Sequence, residues 1–204
     1  MPSLGNRFGQ DGTGGPLVRL ILRLVVDPVA LATLSAKPGI RILVAPTGVQ
    51  HRLDIRGALG GLLVQTSDDG LDARADMTAV CGEPDDTAWA DLLFAWTVCK
   101  HVTSNAIVLA KGRRTIGIGA GQMSRVDAVR IAVDKAREHG HDLARAALAS
   151  DAFFPFADGP RLALEAGVRT IIQPGGAKRD DEVIEAVRAA RAAMVFTGRR
   201  HFRH

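Results

Sequence analysis

Apolar positions recur along this chain in two rhythms, a period near 3.6 and short unbroken runs, and the two take turns. Val29, Leu31, Ala32, Leu34 and Ala36 suit a short helix, which Lys37-Pro38-Gly39 ends before a β-rich run from Ile40 to Ala45. Between Ile55 and Thr66, Gly57, Gly60 and Gly61 precede Leu62-Leu63-Val64, which predicts a loop entering a strand. A polar stretch then ends at Asp86, and Thr87 to Lys100 sets Trp89, Leu92, Leu93, Trp96 and Cys99 on one face of an amphipathic helix. Asn105 to Lys111 and Thr115 to Gly119 read as two strands about a tight turn at Gly112, followed by a helix from Val126 to Glu138 that Gly140 closes. The remainder alternates: strand Ala146 to Ala149, loop Asp151 to Asp158, helix Pro160 to Glu165, strand Thr170 to Gln173, loop Pro174 to Gly176, helix Asp180 to Ala193, strand Met194 to Thr197. This predicts an α/β fold, a sheet with helices on both faces whose strand-end loops gather the functional groups.

The first 15 residues, MPSLGNRFGQDGTGG, are Gly-rich and polar without periodicity, and are expected to form a flexible leader. The longest apolar run, Leu17 to Val26, is broken by Arg19 and Arg23 and falls short of the roughly 20 residues of a membrane helix. No cleavage pattern of small residues follows it, so neither an anchor nor a signal peptide is expected. Lys and Arg number 26 against 22 Asp and Glu. That net charge of +4 is too diffuse to point to nucleic acid and is compatible with small anionic ligands. The two cysteines, Cys81 and Cys99, form no Cys-x-x-Cys and have no zinc-ligand spacing near them, so no metal is expected, and a reducing, cytoplasmic setting is.

Four loops concentrate the candidate chemistry: Lys100 to Asn105, Gly117 to Arg125, Asp151 to Asp158, and Pro174 to Asp181. In the second, glycines ahead of Ser124 and Arg125 at a helix start suit an anion, although neither a Walker A loop nor the Rossmann spacing is present. The same glycines also suit an ordinary strand-to-helix turn. In the third, Phe153, Phe154 and Phe156 around Pro155 could form a slot for a flat heterocycle, with Asp151 or Asp158 hydrogen-bonding its ring nitrogens; a hydrophobic plug is the other reading. Lys100-His101 offers a general base beside a charge, or a solvated helix end. The closing GRRHFRH is either an anion clamp or a basic tail.

Taken together, KHVTSNAIVLAK, TIGIGAGQMSR, SDAFFPF-x-DG, IQPGG-x-x-RDDEV and FTG-x-RHFRH resemble, in order, the motifs of the AICAR transformylase domain of the AICAR transformylase/IMP cyclohydrolase family. The likeness is dense from Trp89 to His204 and thinner from Val25 to Thr66, through LATLSAKPGIRIL and GGLLVQ. Residues 1–24 carry no motif that can be placed and are expected to be an unmatched, flexible leader, so 25–204 are expected to be the C-terminal part of the transformylase domain, without the cyclohydrolase domain. The resemblance implies a three-layer α/β/α, cytidine-deaminase-like repeat and a homodimer. It also implies two small-molecule partners, AICAR and the co-substrate 10-formyltetrahydrofolate, and neither nucleic acid nor membrane. By motif position, it puts Asn105, Arg125, Asp158 and Arg200 on the nucleotide, and Val126, Phe153, Ala177 and Lys178 on the folate. Ala177 stands where the family more often has Ser.

In the family the catalytic Lys-His pair belongs to an earlier repeat and precedes an Asn-Pro-Cys-Gly-like sequence. Here Lys100-His101 runs into Val-Thr-Ser-Asn, the second-repeat context, so the pair is a catalytic candidate by residue type alone. The expectation is a formyltransferase of purine (IMP) biosynthesis present as its C-terminal part. The alternative is a catalytically silent chain that binds nucleotide or folate, or pairs with a full-length subunit. A zinc deaminase lacks support, since neither His-x-Glu nor Pro-Cys-x-x-Cys occurs.

Overall fold

The computed structural model describes residues 19–23, 28–36, 40–44, 53–68, 70 and 72–203, in two compact units, 1–67 and 68–204. The leader expected over 1–15 lies outside the described residues.

In the first unit, β1 (Arg19–Arg23) pairs in parallel with β2 (Ile40–Val44), and α1 (Pro28–Ser35) lies between them in the chain. β3 (Leu53–Ala58) and β4 (Gly61–Thr66) form an antiparallel hairpin. The sequence predicted a loop where β3 stands. Leu53 and Ile55 alternate with Asp54 and Arg56 at strand period, and Gly57 does not break the ladder. Leu59 and Gly60 both have positive φ, 43° and 83°, as the tight turns that match strand twist require.

The second unit is built on a six-stranded mixed sheet in the order β5-β10-β9-β8-β6-β7. Its strands are β5 (Thr78–Cys81), β6 (Ile107–Ala110), β7 (Thr115–Gly119), β8 (Ala147–Ser150), β9 (Thr170–Gln173) and β10 (Ala193–Phe196). β8, β9 and β10 run parallel, while β5, β6 and β7 join antiparallel. Successive strand residues enter opposite cores, as the pleat demands. Ile107, Leu109, Leu148, Ile171 and Met194 pack with α3 (Arg125–Glu138), α4 (Asp158–Ala166) and α5 (Asp180–Ala189). Val108, Ala149, Ile172 and Val195 pack with α2 (Asp86–Cys99). The result is a three-layer α/β/α sandwich, one helix on one face and three on the other.

Local chemistry explains the elements. Asp85 caps α2 by accepting from the Ala88 N–H at 2.8 Å. Asp91, buried on the same helix, accepts from Gly112 N (2.9 Å) and Arg113 N (2.6 Å) and so stabilises the β6–β7 turn, whose two central residues have positive φ. α5 is shorter than the Ala-rich stretch predicts. Arg191 turns left-handed at φ 54°, and Ala192 and Ala193 leave the helix as buried residues entering β10.

Candidate functional site

The parallel strands β8, β9 and β10 end on one edge of the sheet, where ligands of open α/β sheets are received. At the end of β8, Asp151 is fully buried and pairs with the Arg125 guanidinium, its Oδ1 lying 2.5 Å from Nη1. The same nitrogen donates to Ser150 Oγ at 2.9 Å, and Nη2 donates to Asn105 Oδ1 at 2.8 Å. Asn105 in turn donates through Nδ2 to the Gln122 carbonyl (2.8 Å), and Ser104 Oγ reaches Asp151 Oδ2 at 2.5 Å. This network ties the loop after α2, the start of α3 and the end of β8 into one rigid wall.

Beyond that wall opens a cleft of about 440 Å³. Asn105, Arg125, Val126, Phe153, Asp158 and Arg200, separated by up to almost half the chain, all line it. Lys100, His101, Ala177 and Lys178 do not. Lys100 sends Nζ to the Gly70 carbonyl (2.6 Å) and lies 3.5 Å from Asp68. His101 sits exposed in the turn after α2, and its imidazole is held below the usual histidine pKa by partial burial and by the charges of Lys100 and Arg203. Ala177 and Lys178 belong to the loop after β9. That loop reaches the cleft through their neighbour Arg179, whose guanidinium lies 4.9 Å over the Phe156 ring.

The two arginines of the cleft differ in state. Arg125 is buried and its charge is met by Asp151. Arg200 is exposed, stacks over Phe202 at 5.7 Å, and makes no ion pair among the described residues, so it is the cation left to an incoming anion. Ser124, the N-cap of the 14-residue α3, makes no side-chain cap, and Ser124 and Val126 line the cleft. The first-turn N–H groups and the positive end of the helix dipole therefore stand beside Arg200, an arrangement suited to phosphate.

The glycines read as an anion turn have a different use. Gly117 and Gly119 lie in β7, where a Cβ would come within 2.1 Å of the Ala132 carbonyl oxygen and 1.9 Å of that of Ala128. They let α3 pack directly on the strand. The aromatic loop serves both readings: Phe154 is buried as a plug in the floor of the cleft, its N–H bonded to Gln173 Oε1 at 2.7 Å, and the more accessible Phe153 and Phe156 line the cleft with it. Of its carboxylates, Asp151 is consumed by Arg125 and Ser104, which leaves Asp158, at the start of α4, exposed to a ligand. Cys99 is fully buried and its thiol pKa is raised by that burial, which leaves it inert.

Sequence reasoning missed Ser104, Ser150 and Phe202. Phe202 lines the cleft, and the others hold its wall. A second cleft, of about 560 Å³, lies toward the opposite ends of β9 and β10 between Arg145, Arg169, Arg188 and Arg191. Two of these are engaged by Asp85 and Glu185, and Arg169 donates to the Leu164 and Val168 carbonyls.

Residues 17–135 match the model of the AICARFT/IMPCHase bienzyme family, so the match begins inside the stretch 1–24 expected to be an unmatched leader, where Arg19–Arg23 form β1. The chain is 54% identical over 180 residues to the bifunctional purine biosynthesis protein PurH of Chloroflexus aurantiacus, covering 87% of this chain and 35% of that one. It is 50% identical over 189 residues to PurH of Cereibacter sphaeroides, with 87% and 36% covered. It thus spans about a third of the length of these relatives. Among solved structures, a diaminohydroxyphosphoribosylaminopyrimidine deaminase/5-amino-6-(5-phosphoribosylamino)uracil reductase from Thermotoga maritima aligns at 21% identity and a TM-score of 0.36. It covers 54% of this chain and 35% of that one, a likeness too slight to argue from.

Proposed function

The chain belongs to the AICARFT/IMPCHase bienzyme family, and from that premise we propose that its cleft is the nucleotide- and folate-binding part of a site that transfers a formyl group from 10-formyltetrahydrofolate to AICAR. The observation that carries the reading is the convergence of Asn105, Arg125, Val126, Phe153, Asp158 and Arg200 on one cleft.

The chemistry suits these residue types. The AICAR amine is a poor nucleophile because its lone pair is delocalised into the ring and carboxamide, so transfer needs orientation, proton removal and oxyanion stabilisation. Arg200 and the open start of α3 suit the phosphate. Asn105, held by Arg125 and Gln122, keeps one amide hydrogen for the carboxamide. Phe153 and Phe156 offer aromatic faces to the folate, and Asp158 offers an acceptor to a ring nitrogen.

The base is the part not assembled. Lys100 and His101 stand in the family's second-repeat context and neither lines the cleft. In our reading the purified chain therefore binds but turns over negligibly, since loss of a positioned general base costs about 10²–10⁴-fold. Tetrahydrofolate release from the protein supplied with AICAR and 10-formyltetrahydrofolate tests this, with His101→Ala alongside. Near-normal turnover abolished by that substitution would make Lys100-His101 the catalytic pair and overturn this part of the reading.

A further inference from the structure

After β10 the chain follows the wall of the cleft without regular secondary structure, the His201 N–H donating to the Asp151 carbonyl at 3.1 Å and the Ser104 N–H to the Arg203 carbonyl at 2.8 Å. Arg200 and Phe202 line the cleft, whereas His201 is turned away from it and is only 2% exposed. His201 is held from several directions. Its Nδ1 meets the Asp68 carboxylate, and its Nε2 lies 2.9 Å from Asp72 Oδ2. The Trp96 ring of α2 packs against it with centroids 4.8 Å apart, and the Trp96 indole N–H donates to the same Asp72 oxygen at 2.7 Å.

The second oxygen of each carboxylate faces a cation. Asp68 Oδ1 lies 3.5 Å from Lys100 Nζ at the end of α2, and Asp72 Oδ1 lies 3.0 Å from Arg199 Nη1. His101, beside Lys100, is the further titratable group whose charge is coupled to this cluster, and Arg203 donates to its carbonyl at 3.3 Å. Burial acts to raise the Asp72 pKa, but the hydrogen bonds from Trp96 and His201 and the charge of Arg199 outweigh it and keep the carboxyl below its usual range.

A neutral imidazole has one N–H and one bare lone pair, so between two carboxylates it would set that lone pair against an oxygen. The imidazolium donates to both.

We infer that His201 is a positioning residue for the cleft: held as an imidazolium between Asp68 and Asp72, it fixes this segment so that Arg200 and Phe202, its two neighbours, face the ligand. The consequence for ligand rests on the nucleotide reading of the cleft; the clamp itself does not. Loss of either carboxylate contact lets the segment shift, which loosens Arg200.

The deciding comparison is AICAR affinity for the protein and for His201→Gln, whose amide cannot donate along both ring directions, each with Arg200 present and with Arg200→Ala. The expected loss on His201→Gln is about tenfold when Arg200 is present, the scale of one lost charged hydrogen bond, and under about twofold in the Arg200→Ala background. An affinity that His201→Gln leaves unchanged, or that falls equally in both backgrounds, overturns the inference. If His201→Gln does not fold, Asp68→Asn at the more exposed carboxylate serves in its place, with the same dependence on Arg200 expected.

Nitrogen NMR of the imidazole in the unsubstituted protein reads the clamp without ligand. Both ring nitrogens protonated supports it. A neutral ring with one bare nitrogen overturns it. Failure of the protein to bind AICAR at any pH would sink the proposed function while leaving this spectrum to decide the role of His201.

Discussion

Arg125 and Arg200 bring the same charge to one cleft, and their surroundings give them different work. Removing Arg125 strands Asp151, which is fully buried, with Ser104 as its remaining side-chain partner. Arg125→Ala is expected to cost about 3–5 kcal/mol of stability, the penalty for an orphaned buried charge, read as a drop in the denaturant midpoint. Arg200 is exposed and makes no ion pair among the described residues, so Arg200→Ala should leave stability within about 0.5 kcal/mol. His101 provides a pH handle. Its folded pKa is depressed, by partial burial first and then by Lys100 and Arg203. The unfolded chain therefore binds more protons, so stability falls as pH drops below the ordinary histidine value of about 6.5 toward the folded one. His101→Asn should flatten the urea midpoint across about pH 5–7, and an unchanged slope would exclude His101 as its source. At this scale the motif GQMSR pointed to Arg125 as a candidate, and the structure puts it on the cleft, but nothing in the motif shows that Asp151 would consume its charge. The partner lies 26 residues away, and no local pattern marks a pair made by tertiary packing.

Elements decide what the glycines mean. Read along the chain, Gly117, Gly119 and Gly121 form one phosphate-loop-like cluster. Folded, the first two lie under α3 and the third, with φ 64°, turns the chain toward it. A Cβ on Gly119 would lie 1.9 Å from a helix carbonyl, so Gly119→Ala must push α3 off the sheet. The expected loss is about 3 kcal/mol or more, a melting-temperature drop on the order of 6–12 °C by thermal unfolding. A drop of under a degree would mean that α3 can slide at little cost. The helices and buried strands of the sheet were legible because each carries its own period, from Trp89 and Trp96 on α2 to the apolar runs of β6 and β9. β3 and β5 were not. The first was obscured by Gly57 and the second is a four-residue edge strand in a polar setting, recognisable through its pairing with β10 rather than through its own pattern.

At the scale of the molecule, topology brings the distant motifs together. β8, β9 and β10 run parallel, so the loops after them, carrying the Phe153–Asp158 segment, the Pro174–Arg179 loop and the terminal Arg200-His201-Phe202, emerge on one edge. β6 and β7 pair beside β8 and bring Asn105 and the start of α3 to the same edge. That grouping was legible only as a family resemblance, because sheet order does not follow from element order. Lys100 and His101 were legible as chemistry but not as location, since the turn after α2 carries them outside the cleft. The central claim is that this edge binds AICAR, and calorimetric titration of AICAR into the protein and into Arg200→Ala tests it most directly. The account predicts binding at about millimolar or tighter, weakened about 10–100-fold by the substitution, the worth of one arginine–phosphate interaction. No heat of binding at millimolar AICAR, or binding that Arg200→Ala leaves unchanged, would contradict it.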